Sequence, residues 1–220
     1  MRTVNSEQVT VNRYRFMWRI SVICSLLTVT CSLLFAEDCI SHKVIPRVNV
    51  VKPEYSISVA QPDGFMDLMH GSVVATMIEE FEIGFGVAAV TGGWCIFINQ
   101  INATIGYTDF VIEIDKRHKE GTCEFDAILE HEFEHVAAHL SVITDELAGI
   151  KAAVKNSGAS VLPVFIEAET DIEDAIERLE SRLQARPEIR LLRQKLAAER
   201  EIRNKKIDLA DRGWRIERCK

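Results

Sequence analysis

Residues 122–156 read TCEFDAILEHEFEHVAAHLSVITDELAGIKAAVKN. Apolar side chains fall at Phe125, Leu129, Phe133, Val136, Leu140, Ile143, Leu147, Ile150 and Val154, in steps of three and four. At about 100° per residue they form one stripe roughly 100° wide, which predicts an amphipathic helix. Thr122 can cap its start, and Asn156-Ser157-Gly158 supplies a stop. Such a helix is longer than the globular average, so the remaining elements have to pack around it.

Inside this stretch His131-Glu132-Phe133-Glu134-His135 has the spacing H-E-x-x-H. With Phe125 at 0°, the apolar stripe spans about −20° to 80°. On the helical wheel His131 then falls at about 240°, His135 at about 280° and Glu132 at about 340°. The two imidazoles share a face away from the stripe, and Glu132 lies between that face and the core edge. Two neutral imidazoles and one further ligand can hold zinc with a position left open for water. A neighbouring carboxylate can take the water's proton and pass it to a leaving amine. The pattern therefore assigns His131 and His135 as zinc ligands and Glu132 as the general base. His139 is a third ligand only if the helix breaks, because on a continuous helix it stands about 12 Å along the axis from His131. The open candidates are Glu167, Glu169 and Glu173, ahead of or within the next helix, and His118.

Upstream, residues 94–101 and 107–115 predict two strands joined through 102–106 as a hairpin; Asn102-Ala103-Thr104 in that link is a formal glycosylation sequon. Residues 65–83 carry apolar positions at helical spacing, and 37–66 read as extended structure with turns. Downstream, Val161–Ile166 is an apolar connector. Thr170-Asp171-Ile172-Glu173 reads as a capping box opening a second helix, which Pro187 kinks or restarts. The second helical region, 170–210, is expected to pair antiparallel with 122–156. The fold class predicted is α+β: a small antiparallel sheet on the H-E-x-x-H helix, followed by a long helical C-terminus. Residues 37–165 form the α+β domain, and 166–220 the helical region that packs on 122–156.

The N-terminus reads as a targeting segment. Arg13, Arg15 and Arg19 precede an apolar run from Ile20 to Phe35, and Ala36 offers a small residue for cleavage, so 1–36 is expected to be a secretory signal peptide. The alternative is a retained anchor, the run being at the short limit for spanning a membrane. The whole chain of 220 residues carries a formal charge of −7. Four basic residues and one acidic residue lie in 1–36, so the remainder carries about −10. An acidic surface without a basic patch excludes nucleic acid as a partner and does not favour anionic lipid. Contact with a membrane is expected only if the N-terminal segment is retained. Cys39, Cys95, Cys123 and Cys219 remain after cleavage, an even count that in an exported chain predicts two disulfides. The expected pairs are Cys95–Cys123 and Cys39–Cys219. Export places the chain in the periplasm or outside the cell.

The strand, the helix and the motif together resemble the zincin metallopeptidases. The run from Cys123 to His135 is also similar to small secreted bacterial proteins identified as zinc-dependent proteases. The resemblance covers roughly residues 94–140. It implies a zinc-dependent hydrolase acting on a peptide or protein substrate, with residues 107–115 as the strand to which substrate main chain adds. A glutamate from the downstream helix would match the gluzincin arrangement. The longer metzincin pattern does not fit, since Ser141 stands where its third histidine would be. The alternative is a non-catalytic envelope protein with a structural metal or none, whose helical C-terminus mediates association.

Overall fold

The computed structural model describes residues 39–62, 70–211 and 214–219. The expected signal peptide lies outside the described residues, as do residues 65–69 of the expected 65–83 helix. The architecture is mixed α/β. Strands β1 (Arg47–Val51), β2 (Ser56–Ala60), β3 (Gly71–Val90) and β4 (Gly93–Ile114) come first. Helices α1 (Cys123–Asp145) and α2 (Leu147–Ser160), strand β5 (Val164–Ile166), and helices α3 (Ile172–Gln184), α4 (Pro187–Asp211) and α5 (Trp214–Glu217) follow.

Strand β4 is the spine. It pairs along its whole length with β3, antiparallel, through a tight connection in which Gly92 takes a φ of 84°. A residue in that left-handed region favours glycine. Because β3 fills one edge, β1, β2 and β5 share the other in succession, at 100–104, 109–113 and 94–96. The pairings of β1 and β2 are parallel and that of β5 is antiparallel, so the sheet is mixed and not the antiparallel one expected. Residues 71–83 of the expected helix belong instead to β3.

The expected hairpin between 94–101 and 107–115 is one continuous strand. Its buried side chains run Ile96, Ile98, then Ile101, Ala103, Ile105, Tyr107, then Phe110, Ile112, Ile114. The parity changes twice. Each change coincides with a register shift against β3, at Gly84/Phe85 and at Thr76/Met77. A bulge inserts one residue and keeps the apolar side chains on one face. Gly106 sits in the strand, and Pro53 occupies the space a side chain there would need.

Helix α1 begins as expected, with Thr122 Oγ1 accepting from Phe125 N at 3.3 Å. It stops at Asp145, and Glu146 breaks the path before α2. Gly158 does not terminate α2. It lies inside the helix, where an added Cβ would meet Ile101 and Pro46, so the glycine permits close contact with the sheet. The capping box at Thr170 does not form: a 3₁₀ turn, Glu169–Asp171, leads into α3 without a side-chain cap. Pro187 does restart the chain as α4.

Both expected disulfides are replaced. Cys39 pairs with Cys95, and Cys123 with Cys219. From Cys95 to Ile114 the spine is unbroken, roughly 60 Å of strand, so Cys95 lies at the far end of the sheet from the start of α1. Two disulfides fit an oxidising, non-cytoplasmic setting. Among the described residues no helix is long and apolar enough to cross a membrane.

Candidate metal centre

The buried side chains of α1 are Phe125, Ile128, Glu132, Val136, Ala138, His139, Val142 and Ile143. This face is rotated from the predicted stripe, and Phe133 is exposed while Glu132 is buried. The cause is that α1 is covered twice, by the sheet on one side and by α4 on another. His131 and His135 point into the groove where α4 crosses.

Helix α4 runs antiparallel to α1, as the pairing of the two helical regions predicts. Arg203 reaches Asp145 at 2.8 Å, Asn204 touches both His135 and His139, and Asp208 and Asp211 meet His131. Each step down α1 toward its N-terminus is matched by a step toward the C-terminus of α4. The spacing of Asn204, Asp208 and Asp211 puts all three on one face of the helix.

Three side chains converge. His131 Nε2 and His135 Nε2 are 3.1 Å apart, and Asp208 Oδ1 lies 3.6 Å from the first and 3.1 Å from the second. This group could hold a metal ion. Tetrahedral zinc, with bonds of about 2.0–2.1 Å, places its ligand atoms roughly 3.3 Å apart. The triangle therefore matches in size, and the most exposed of its three side chains is Asp208, at 61%.

The outer ring nitrogens are also placed. Asn204 Oδ1 stands 3.1 Å from His135 Nδ1. A carbonyl oxygen only accepts, so Nδ1 donates and the Nε2 lone pair is left facing Asp208 and His131. Asp211 Oδ2 is 2.9 Å from His131 Nδ1. That contact lies off the N–H axis, so it acts by charge more than by hydrogen bonding. Partners of this kind fix ring orientation and raise ligand basicity. Asp211 is held in turn: the Arg215 backbone N–H donates to its Oδ1 at 3.3 Å, and the Arg215 guanidinium reaches Glu134 at 2.7 Å.

Glu132 is 5% exposed. Burial pushes its pKa up to about 7; His135 opposes the shift, and Asp208 and Asp211 add to it. A buried carboxylate beside two more acids is a poor arrangement by itself and a good one around a cation. It faces the start of β3, where a Cβ on Gly71 would stand 2.7 Å from Glu132 Oε1. Burial lowers the pKa of His131, helped by His135 and opposed by the two aspartates.

His139 lies outside this cluster. It is buried, 5.1 Å from the Tyr107 ring and 5.9 Å from the Phe110 ring, and its Nε2 accepts from Asn204 Nδ2 at 3.2 Å. Burial, then Arg200 and His135, depress its pKa to about 4, which leaves a neutral core histidine. His118 pairs instead with His70, Nε2 to Nδ1 at 3.1 Å. Glu167 and Glu169 follow β5 at the far end of the spine, and Glu173 opens α3; none belongs to the cluster. The residue overlooked in the sequence is Asp208. The polar i, i+4, i+7 series Asn204, Asp208, Asp211 marks one face of the region expected to pair with 122–156, without stating which residues of that helix it meets.

Comparison with known proteins finds no matching family model, no matching curated protein and no matching solved structure.

Proposed function

We propose that the chain is an exported zinc-dependent metallopeptidase, with His131, His135 and Asp208 as the ligand set and Glu132 as the general base. The observation that carries this reading is the cluster of His131, His135 and Asp208 with the buried Glu132 beside it. Zinc bound there would lower the pKa of a coordinated water and polarise a substrate carbonyl. Glu132, held against Gly71, would accept the water's proton and deliver it to the leaving amine. Asn204 would keep the His135 imidazole in the required tautomer, and the Asp211 carboxylate beside His131 would raise the basicity of that ring.

Substrate main chain would add to β3. Residues 107–115, the strand implied by the resemblance, are enclosed between β2 and β3 and have no edge to offer. Strand β3 has no strand partner on its outer edge among the described residues, and its first residue abuts Glu132. An exposed strand edge recruits an extended peptide through main-chain hydrogen bonds.

Elemental analysis of the chain purified without chelator is expected to give one zinc per molecule. Cleavage of a mixed peptide library should be abolished in Glu132→Gln, with zinc retained. A metal-free preparation that also fails to take up added zinc would sink the proposal.

A further inference from the structure

Helix α4 is gripped unevenly. Its buried apolar side chains are Ile189, Leu192 and Leu196, all in the first half. From 197 to 211 the one buried side chain is Asp211, while Ile202 and Leu209 are exposed. This second half carries Asn204, Asp208 and Asp211. Polar contacts to α1 hold it, and just beyond it the Cys123–Cys219 disulfide ties the end of the chain to the first turn of α1. The two disulfides differ in access. Cys39 and Cys95 are 1% and 0% exposed, whereas Cys123 is exposed.

We infer that Cys123–Cys219 is a redox clasp that controls metal retention, by keeping the half-helix bearing Asp208 and Asp211 against the histidines. The inference rests on the metal reading above. A short covalent tie raises the effective concentration of one binding element near another, and it restricts the open states that compete with metal binding. The releasing agent is a dithiol. Its thiolate attacks one sulfur of the pair, the S–S bond breaks, and the departing thiolate takes a proton. The second thiol resolves the mixed disulfide, so the protein gains two electrons and two protons and the dithiol leaves as a disulfide. Cys39–Cys95, closed inside the core, is out of reach of the same reagent. Released from its tie, the polar half of α4 has no fully buried apolar side chain to hold it, only the half-buried Ile207 and, beyond it, Ile216, and Asp208 is presented less firmly to His131 and His135. By linkage, bound metal also favours the closed clasp.

Zinc titration of the full chain tests this, comparing the oxidised protein with Cys123→Ser/Cys219→Ser. Peptide mapping establishes that Cys39–Cys95 is intact in both, and circular dichroism reports the fold. The expected result is one zinc per oxidised chain and binding at least tenfold weaker in the double variant, with native dichroism kept. A smaller change overturns the clasp and leaves the metal reading standing. Loss of native dichroism in the variant also overturns it, since the disulfide would then hold the whole fold. Failure of the oxidised chain to bind zinc at all is a distinct result that removes the metal reading and the clasp with it.

Discussion

Glu132 occupies a position where a carboxylate is disfavoured. It is buried, near two aspartates, and its pKa is raised to about 7. The sign follows from proton linkage. The unfolded chain ionises this group near its ordinary value, while the fold resists ionisation up to about 7. Stability is therefore fully present below pH 4.5 and is lost as pH rises through 7. In metal-stripped protein, Glu132→Gln should raise stability at pH 8 by about 1–3 kcal/mol and change little at pH 4. Denaturant melts at the two pH values check it, and equal effects at both would contradict the assignment. A second test concerns Asp208 as the proposed third ligand. Asp208→Asn should weaken zinc binding by at least about tenfold, of the order known for altered metal surroundings, whereas Glu169→Gln should leave it unchanged. The reverse order would return the third ligand to the glutamates. His131, Glu132 and His135 were legible because helical spacing alone brings them together. Asp208 was not, because its place depends on the crossing of two helices, and no local pattern in 197–211 states the register.

The elements show how far periodicity reaches. The start of α1 and the restart at Pro187 follow from a cap and a ring that act locally. Strand β4 defeats such reasoning, because its apolar parity changes twice and each change mimics a strand end. The bulges that reconcile it exist only in the pairing with β3. The same pairing sets the site. Gly71 begins β3 and leaves space for the Glu132 carboxylate; a Cβ there would stand 2.7 Å from both Glu132 Oε1 and Ile128 Cγ2. Contact that close must displace one of them. Gly71→Ala is expected to lower stability by about 1–3 kcal/mol and to cut kcat at least tenfold, with zinc stoichiometry unchanged. A variant with kcat intact would show that Glu132 is not positioned by β3.

At the scale of the molecule the two ends of the described fold are secured differently. The sheet end is closed by Cys39–Cys95 and by β5 on the spine. The helical end has a disulfide, a set of ion pairs and the cluster of His131, His135 and Asp208. Its three side chains come from two elements, and α4 has no fully buried apolar side chain after Leu196. Metal that binds the folded form alone stabilises it by about 2.7 kcal/mol when its concentration is a hundred times Kd. For a chain of this size, each kcal/mol moves Tm by roughly 2–4 °C. Chelation should therefore lower Tm by roughly 5–10 °C. The loss should not be uniform. The cluster lies where the apolar grip is absent, so hydrogen exchange should quicken in residues 197–211 on chelation while β4 keeps its protection. Exchange that quickens equally in β4 would mean that the metal supports the whole core, and a Tm indifferent to chelation would mean that the three ligands bind no metal tightly.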